Sequence, residues 1–430
     1  MTLSDDSFRN SLWWMTAREA PPATSRPDGD ADASVLVIGG GFTGLAAALE
    51  LARHGIDVVL AEAHHIGFGA SGRNGGQVIP GLKYDPEELV AKYGETGGNA
   101  LVDLAGGAAD LVFDLIDRHG IDCQPVRGGW IQAAHSEKAL GAVQNRARQW
   151  QARGVAVEML DRAAISERIG TSVYHGGWRD PRAGSIQPLD YARGLARAAI
   201  ASGARIFENT PVRRLSREDG FWLAETDFGA IRADRVVVAT NGHTGGLVRG
   251  LSSTVLPVQS MQVATAPLSD KLVDTVLKQR VVVSETRKLA FYFRLSPDNR
   301  LMLGGRGAVG AHENAKLYAA LEAGLRALFP QLRDVPISCR WSGQVALTMD
   351  GLPHLHMSDD GLMVALGYNG RGIAMATALG TALGRNIGAG APLAFPVTPI
   401  RPLFWHALRK PIVNIGVRWY WLKDRLGYAS

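Results

Sequence analysis

The 430-residue chain contains only two cysteines, Cys123 and Cys339, far apart in sequence. Two thiols build neither a disulfide framework nor a tetrahedral metal site by themselves, so unlinked thiols in a reducing compartment are expected. There is no run of 18 apolar residues, so no membrane-spanning helix is expected. The start, MTLSDDSFRN, lacks the basic residues and apolar stretch of a signal peptide, which points to the cytoplasm. The formal charge is only +5 and no nucleic-acid module is recognisable, so nucleic acid is not an expected partner. Neither G-x-S-x-G nor G-x-x-x-x-G-K-[ST] occurs, which leaves serine-hydrolase and P-loop readings without support. His354 and His356 share a strand face but have no evident third ligand, so no metal site is expected. No internal repeat or low-complexity tract interrupts the chain.

What is present is an ordinary globular composition, 46% hydrophobic and 20% charged, with 51 glycines. Many of those glycines fall in short clusters. Val35-Leu36-Val37-Ile38 reads as a buried parallel strand, Gly39-Gly40-Gly41 as a turn, and Leu45–Leu51 as a helix closing near His54-Gly55. Asp57–Leu60 reads as the next strand, with Glu62 at its end. Gly39, Gly41 and Gly44 spell G-x-G-x-x-G. At this glycine content the pattern arises by chance about 0.7 times per chain, so its context must decide. Here the context is a complete βαβ unit. Gly39 permits the tight turn, Gly41 close approach of a pyrophosphate, and Gly44 contact of helix with strand. The N-terminus of the helix offers N–H groups to phosphates, and Glu62 can accept from ribose hydroxyls. Phe42, Thr43 and Ala63 belong to the same cradle.

This motif does not separate NAD from FAD. A second glycine-dense loop, Gly67-Phe68-Gly69-Ala70-Ser71-Gly72-Arg73-Asn74-Gly75-Gly76-Gln77, follows immediately. An NAD enzyme needs no such loop. A longer ligand with a deeply laid ring would need its small residues and donors such as Ser71, Arg73, Asn74 and Gln77.

The run VLVIGGGFTGLAAALELARHG…VVLAEA…GFGASGRNGGQ resembles FAD-dependent oxidoreductases of the D-amino-acid oxidase superfamily. The nearest group is the gamma-glutamylputrescine oxidoreductase-type enzymes. The similarity continues through GSIQPLDYARGLARAA, VVVATNGHT, YFRLSPDNRLMLGGR, WSGQVALTMDGLPHL and LGYNGRGIAMATALG. It implies an α/β fold: a Rossmann-like FAD-binding domain and an α+β substrate domain on a large antiparallel sheet. The FAD domain is expected from 34–85, 170–250 and 340–392, and the substrate domain from 86–169 and 251–339. Residues 1–33 would form a leader docked on the surface through Trp13 and Trp14, and 393–430 a basic aromatic tail. The resemblance further implies cofactor contacts at Val212, Thr240 and Asn241. Gly370-Arg371-Gly372 and Ile373, opening a late helix, would present N–H donors and a dipole to the flavin.

Gly343 stands where some relatives carry a cofactor-linking cysteine, and Asn74 where others carry a linking histidine, so FAD is expected to be non-covalent. Val345 replaces the arginine with which glycine-oxidase-like relatives bind the substrate carboxylate; Arg294, Arg306 or Arg371 would have to serve instead. Tyr292, Arg294, Trp341, Gln344 and Asn369 are the substrate-side candidates, and Tyr292 and Arg294, two apart in a strand, share a face. The expected activity is oxidation of the C–N bond of a small amine or amino acid by hydride transfer to flavin, with no protein base required. Oxygen or quinone would take the electrons. The alternatives are an NAD-linked dehydrogenase and a non-catalytic flavin-binding subunit. The tail, with Trp405, Trp419, Tyr420 and Trp421 and six basic residues against Asp424, suits either packing within the protein or peripheral membrane contact.

Overall fold

A computed structural model describes residues 8–307 and 315–425, with backbone alone at 306, 315, 317, 418 and 421–425. The first sheet carries the predicted βαβ unit. Its parallel centre runs Leu362–Leu366, Gly229–Val238, Ala31–Ile38, Val58–Ala61 and Arg205–Phe207 in spatial order. His354–Met357 is an antiparallel edge, and the hairpin 214–226 extends from the strand 229–238. Val35, Leu36, Val37 and Ile38 are all buried, as a strand covered on both faces must be.

Helix Phe42–Arg53 follows the glycine turn and packs against helix Gly372–Ala389. Gly380, Gly384 and Gly388 recur every four residues and so share one helix face. A Cβ on Gly380 would lie 2.2 Å from the Thr43 carbonyl oxygen, one on Gly384 2.7 Å from Glu50 Cβ, and one on Gly388 2.8 Å from His54 Cβ. The glycine stripe therefore sets how closely the two helices approach.

The second sheet has eight strands, in the order Ile337–Leu347, Leu256–Thr265, Leu301–Arg306, Tyr292–Leu295, Val282–Glu285, Trp130–Ala133, Gly177–Asp180 and Glu158–Leu160. All neighbours are antiparallel except 282–285 with 130–133. This moves two expected boundaries. Strands 177–180 and 337–347 hydrogen-bond into the second sheet, although the sequence boundaries at 170 and 340 assign all of the first and most of the second to the nucleotide domain. The reason is that strand pairing is set by neighbours distant in sequence.

The N-terminal segment is not a surface leader. Phe8, Leu12 and Trp13 are completely buried, in a cluster with Phe68, Leu189, Met302 and Trp341. Trp13 Nε1 donates to the Asn74 carbonyl at 2.7 Å, and its own carbonyl accepts from Gln187 Nε2 at 2.8 Å. This segment thus bridges the glycine loop and the second sheet. Helix Pro86–His119 has a break at Gly94.

Candidate functional site

A cavity of about 1210 Å³ lies between the two sheets. One end is built by the glycine turn. Gly39 has φ +114°, and a Cβ there would lie 2.9 Å from the Ala239 carbonyl oxygen. A Cβ on Gly44 would lie 2.0 Å from the Gly39 carbonyl, so helix and turn meet only because it is absent. Gly39, Gly41, Phe42, Thr43, Glu62 and Ala63 all line this end, with Val212, Thr240 and Asn241. Gly44 itself lies behind the wall.

Glu62 Oε2 accepts from the Gly40 N–H at 2.7 Å and Oε1 from the His64 N–H at 2.8 Å. Each oxygen keeps capacity for a further donor from the cavity. Burial raises its carboxyl above the usual range, against the lowering effect of those backbone N–H groups. Two helix N-termini open on the same cavity: Gly41 and Arg371 are the respective N-caps, neither capped by its own side chain. Both therefore turn a positive dipole end toward whatever occupies it. Acceptor, glycine cradle and paired helix ends fit a dinucleotide with an extended ring system.

The second glycine loop departs from expectation. Ser71, Arg73, Asn74, Gly75 and Gln77 line the cavity, but their side chains are largely spent inside the protein. Ser71 Oγ accepts from the Phe42 N–H at 3.1 Å. Arg73 Nε donates to the Phe68 carbonyl at 2.8 Å, and its guanidinium lies between the Phe8 and Phe68 rings at 5.0 and 4.8 Å. The Asn74 amide closes onto Ala70, Ser71 and Gly76 backbone. Gln77 Nε2 reaches the Val283 and Phe293 carbonyls, tying the loop to the second sheet. Gly76 is not in the wall; a Cβ there would strike Arg294 Nη2 at 2.2 Å.

At the other end the second sheet supplies the wall. Tyr292, Gln344 and Asn369 line it; Arg294 and Trp341 do not. Arg294 is 2% exposed and donates to the carbonyls of Gly75, Ile186 and Leu295, with Trp13 beneath it. It braces the glycine loop and cannot anchor an anion in the cavity. Trp341 is fully buried, with Nε1 donating to the Arg73 carbonyl at 3.0 Å. Asn369 has φ +53° and bonds Thr348 and Gly367, so it shapes its own loop. Tyr292 Oη bonds Ser260 and Gln262, fixing its ring in the wall. The side chain of Arg306 lies outside the described residues.

Arg371 differs from these arginines. It lines the cavity along with Gly370, Gly372 and Ile373. Its guanidinium stacks 4.6 Å over Trp130, and the buried Nη1 has no hydrogen-bond partner among the described residues. Burial, reinforced by nearby Arg146, pushes it down to about 9. Among the described residues the wall carries Arg73, Lys83, Arg146, Arg213, Arg287, Lys288 and Arg371 against only Glu62 and Glu285. Glu285 is itself paired with Arg287. Arg146 and Arg213 are paired as well, with Asp85 and Asp227, so much of this positive charge is already met.

Sequence reasoning missed Trp130, Gln132, Arg146, Ser284 and His243, all in the wall. Trp130 Nε1 donates to Ser284 Oγ at 2.8 Å, and Arg146 Nη1 to Gln132 Oε1 at 3.1 Å. Trp130 and Gln132 alternate along a strand that is legible in sequence, but nothing there shows which face turns inward. His243 follows Asn241 by two and is exposed at the cavity wall. His354 and His356 lie outside this wall, bonded to Asp350 and the Thr398 carbonyl.

Comparison with known proteins agrees with this geometry. The family described as DAO, FAD dependent oxidoreductase, matches residues 34–385. The gamma-glutamylputrescine oxidoreductase of Escherichia coli is 32% identical over 398 residues, 91% of this chain and 93% of that protein. The probable oxidoreductase OrdL of Rhizobium meliloti is 32% identical over 422 residues, 96% of this chain and 97% of its own. Among solved structures, glycine oxidase from Geobacillus kaustophilus superposes with a TM-score of 0.73 at 25% identity, covering 87% of this chain and 99% of that one.

Proposed function

The chain belongs to the DAO family of FAD-dependent oxidoreductases, and on that premise we propose that it oxidises the C–N bond of a small amine or amino acid that carries a carboxylate. The observation that carries the proposal is Arg371: a guanidinium whose buried Nη1 has no hydrogen-bond partner among the described residues, at the far end of a dinucleotide-shaped cavity. An unpaired buried charge is costly, and an arriving carboxylate would complete it with a charge-assisted bond. The arginine absent at Val345 would thus be replaced from the opposite side of the site.

Bound FAD supplies the two-electron oxidant. Gly39, Gly41, Phe42, Thr43, Glu62 and Thr240 would hold its nucleotide half, and the backbone of Gly370, Gly372 and Ile373 its ring end. Neither Gly343 nor Asn74 offers an atom for covalent attachment. The substrate loses two electrons and two protons to become an imine, which water converts to a carbonyl compound and an amine or ammonia. The chain contributes orientation and exclusion of water: Trp130 and Tyr292 flank the reacting end, and Arg371 fixes one end of the substrate. No side chain is assigned as base, because the neutral amine is the reacting form.

The test is an anaerobic bleaching screen of the purified yellow protein with amines, polyamine derivatives, N-methyl amino acids, cyclic imino acids and both amino-acid enantiomers. Loss of the flavin band with a carboxylate-bearing amine is expected. Bleaching by none of them would overturn the proposal. Reoxidation by air, or only by a quinone, then identifies the acceptor.

A further inference from the structure

The chain leaves the nucleotide sheet through Val397 and Thr398, and is then held to the body by the Leu403 N–H on the Ser253 carbonyl and by His406 Nε2 on the Val255 carbonyl. It ends in helix Arg409–Arg425. One face of this helix, at Val413, Gly416 and Val417, is half-buried, and Tyr420 reaches the cavity wall. A second face is apolar and exposed. Ile412, Ile415 and Trp419 are 41%, 68% and 55% exposed. At 100° per residue they fall within about 60° of one another. Leu408, 60% exposed, and Phe404, 98% exposed, continue the apolar surface in the approach to the helix.

The borders of that stripe are cationic. By helical position Arg409 and Lys423 lie along one edge and Arg418 and Arg425 along the other. From Val397 to Ser430 the chain carries Arg401, Arg409, Lys410, Arg418, Lys423 and Arg425 against the single acid Asp424. No described helix is long and apolar enough to cross a membrane. An exposed apolar stripe with an interfacial aromatic and a basic rim on both sides matches the surface of an anionic bilayer, apolar atoms to acyl chains and cations to headgroups.

We propose that the C-terminal helix docks the folded enzyme on anionic lipid, lying in the plane of the interface with Ile412, Ile415 and Trp419 inserted. Because Tyr420 of the same helix lines the cavity, docking would bring that part of the cavity wall to the bilayer surface. The inference is independent of what the cavity oxidises.

The test is sedimentation of the full-length FAD-loaded protein with vesicles of phosphatidylcholine containing one quarter phosphatidylglycerol, and with phosphatidylcholine alone. Binding to the anionic vesicles, weakened by raised salt, is expected. Ile415→Asp should lower the partition coefficient at least about tenfold. Flavin content and circular dichroism of the variant check that it is folded. Arg409→Gln with Lys410→Gln should reduce binding to anionic vesicles and flatten its salt dependence. Three results would overturn the proposal: no binding to anionic vesicles, binding that Ile415→Asp leaves unchanged, or a dimer in sedimentation velocity that Ile415→Asp converts to monomer. The last would show that a second copy of the chain covers the stripe.

Discussion

Replacing Glu62 by glutamine isolates the charge at the nucleotide end of the cavity. The wild-type carboxylate already accepts the Gly40 and His64 N–H groups, at 2.7 and 2.8 Å. Glutamine keeps one acceptor and turns an NH₂ toward the other N–H. That mismatch costs about 1–3 kcal/mol in free and loaded protein alike, so it appears as lower stability and largely cancels from affinity. What remains in the affinity is the change from a charged to a neutral acceptor. A hydrogen bond to a charged group contributes about 1.5–3 kcal/mol and a neutral one about 0.5–1.5, a loss of about 1–1.5 for each ribose hydroxyl. Two hydroxyls give about 2–3 kcal/mol, or roughly 30- to 150-fold in Kd.

The assay is titration of apoprotein with FAD, followed by tryptophan fluorescence, across pH 5–8. Burial raises the Glu62 carboxyl, so the wild-type affinity should fall on acidification as the carboxylate takes up its proton. Stability of the apoprotein should respond to this group in the opposite sense. A carboxyl raised in the folded state stabilises the fold below its unfolded value and loses that contribution as pH rises through the folded value. Glu62→Gln should flatten both slopes. A variant that binds FAD within about threefold of wild type, with the pH slope intact, would refute the assignment of Glu62 to the ribose.

Arg371→Gln should raise KM for a carboxylate-bearing substrate by about 10- to 150-fold, the loss of one charged hydrogen bond. Steady-state kinetics on acid and amide forms of one amine checks this, because only the acid form should lose affinity. Gly384→Leu should separate the two packed helices at a cost of about 1–3 kcal/mol or more and lower the flavin content, measured by thermal denaturation and absorbance. Trp13→Ala should cost about 3–5 kcal/mol in urea denaturation, because the ring is fully buried against Arg294 and Trp341; a loss below about 1 kcal/mol would restore the view of this segment as a surface leader.

Much of the nucleotide end was legible because its constraints are local. Strand, turn, helix and acid follow one another within residues 35–62, and each residue's task is set by neighbours close in sequence. The packing of Gly44 against the Gly39 carbonyl is an example that spacing alone anticipates. The substrate end was not legible in the same way, because an arginine's task depends on what stands opposite it. Arg73 and Arg371 lie in glycine-rich segments and Arg294 in a strand, and nothing in the text shows what each will meet. The fold gives Arg294 three carbonyls and Arg73 the Phe68 carbonyl and two phenylalanine faces, and sets Arg371 over an aromatic ring with an Nη1 that no described residue accepts from. Trp13 completes the contrast. It supports Arg294 and Trp341 from a segment whose prolines and glycines read as loose chain, and only long-range contacts reveal it as part of the wall's foundation. A guanidinium already surrounded by carbonyls gains little from a ligand, whereas one left short of a partner gains a charge-assisted bond. That difference in satisfaction, rather than residue type, is the ground on which the anion site is proposed at Arg371.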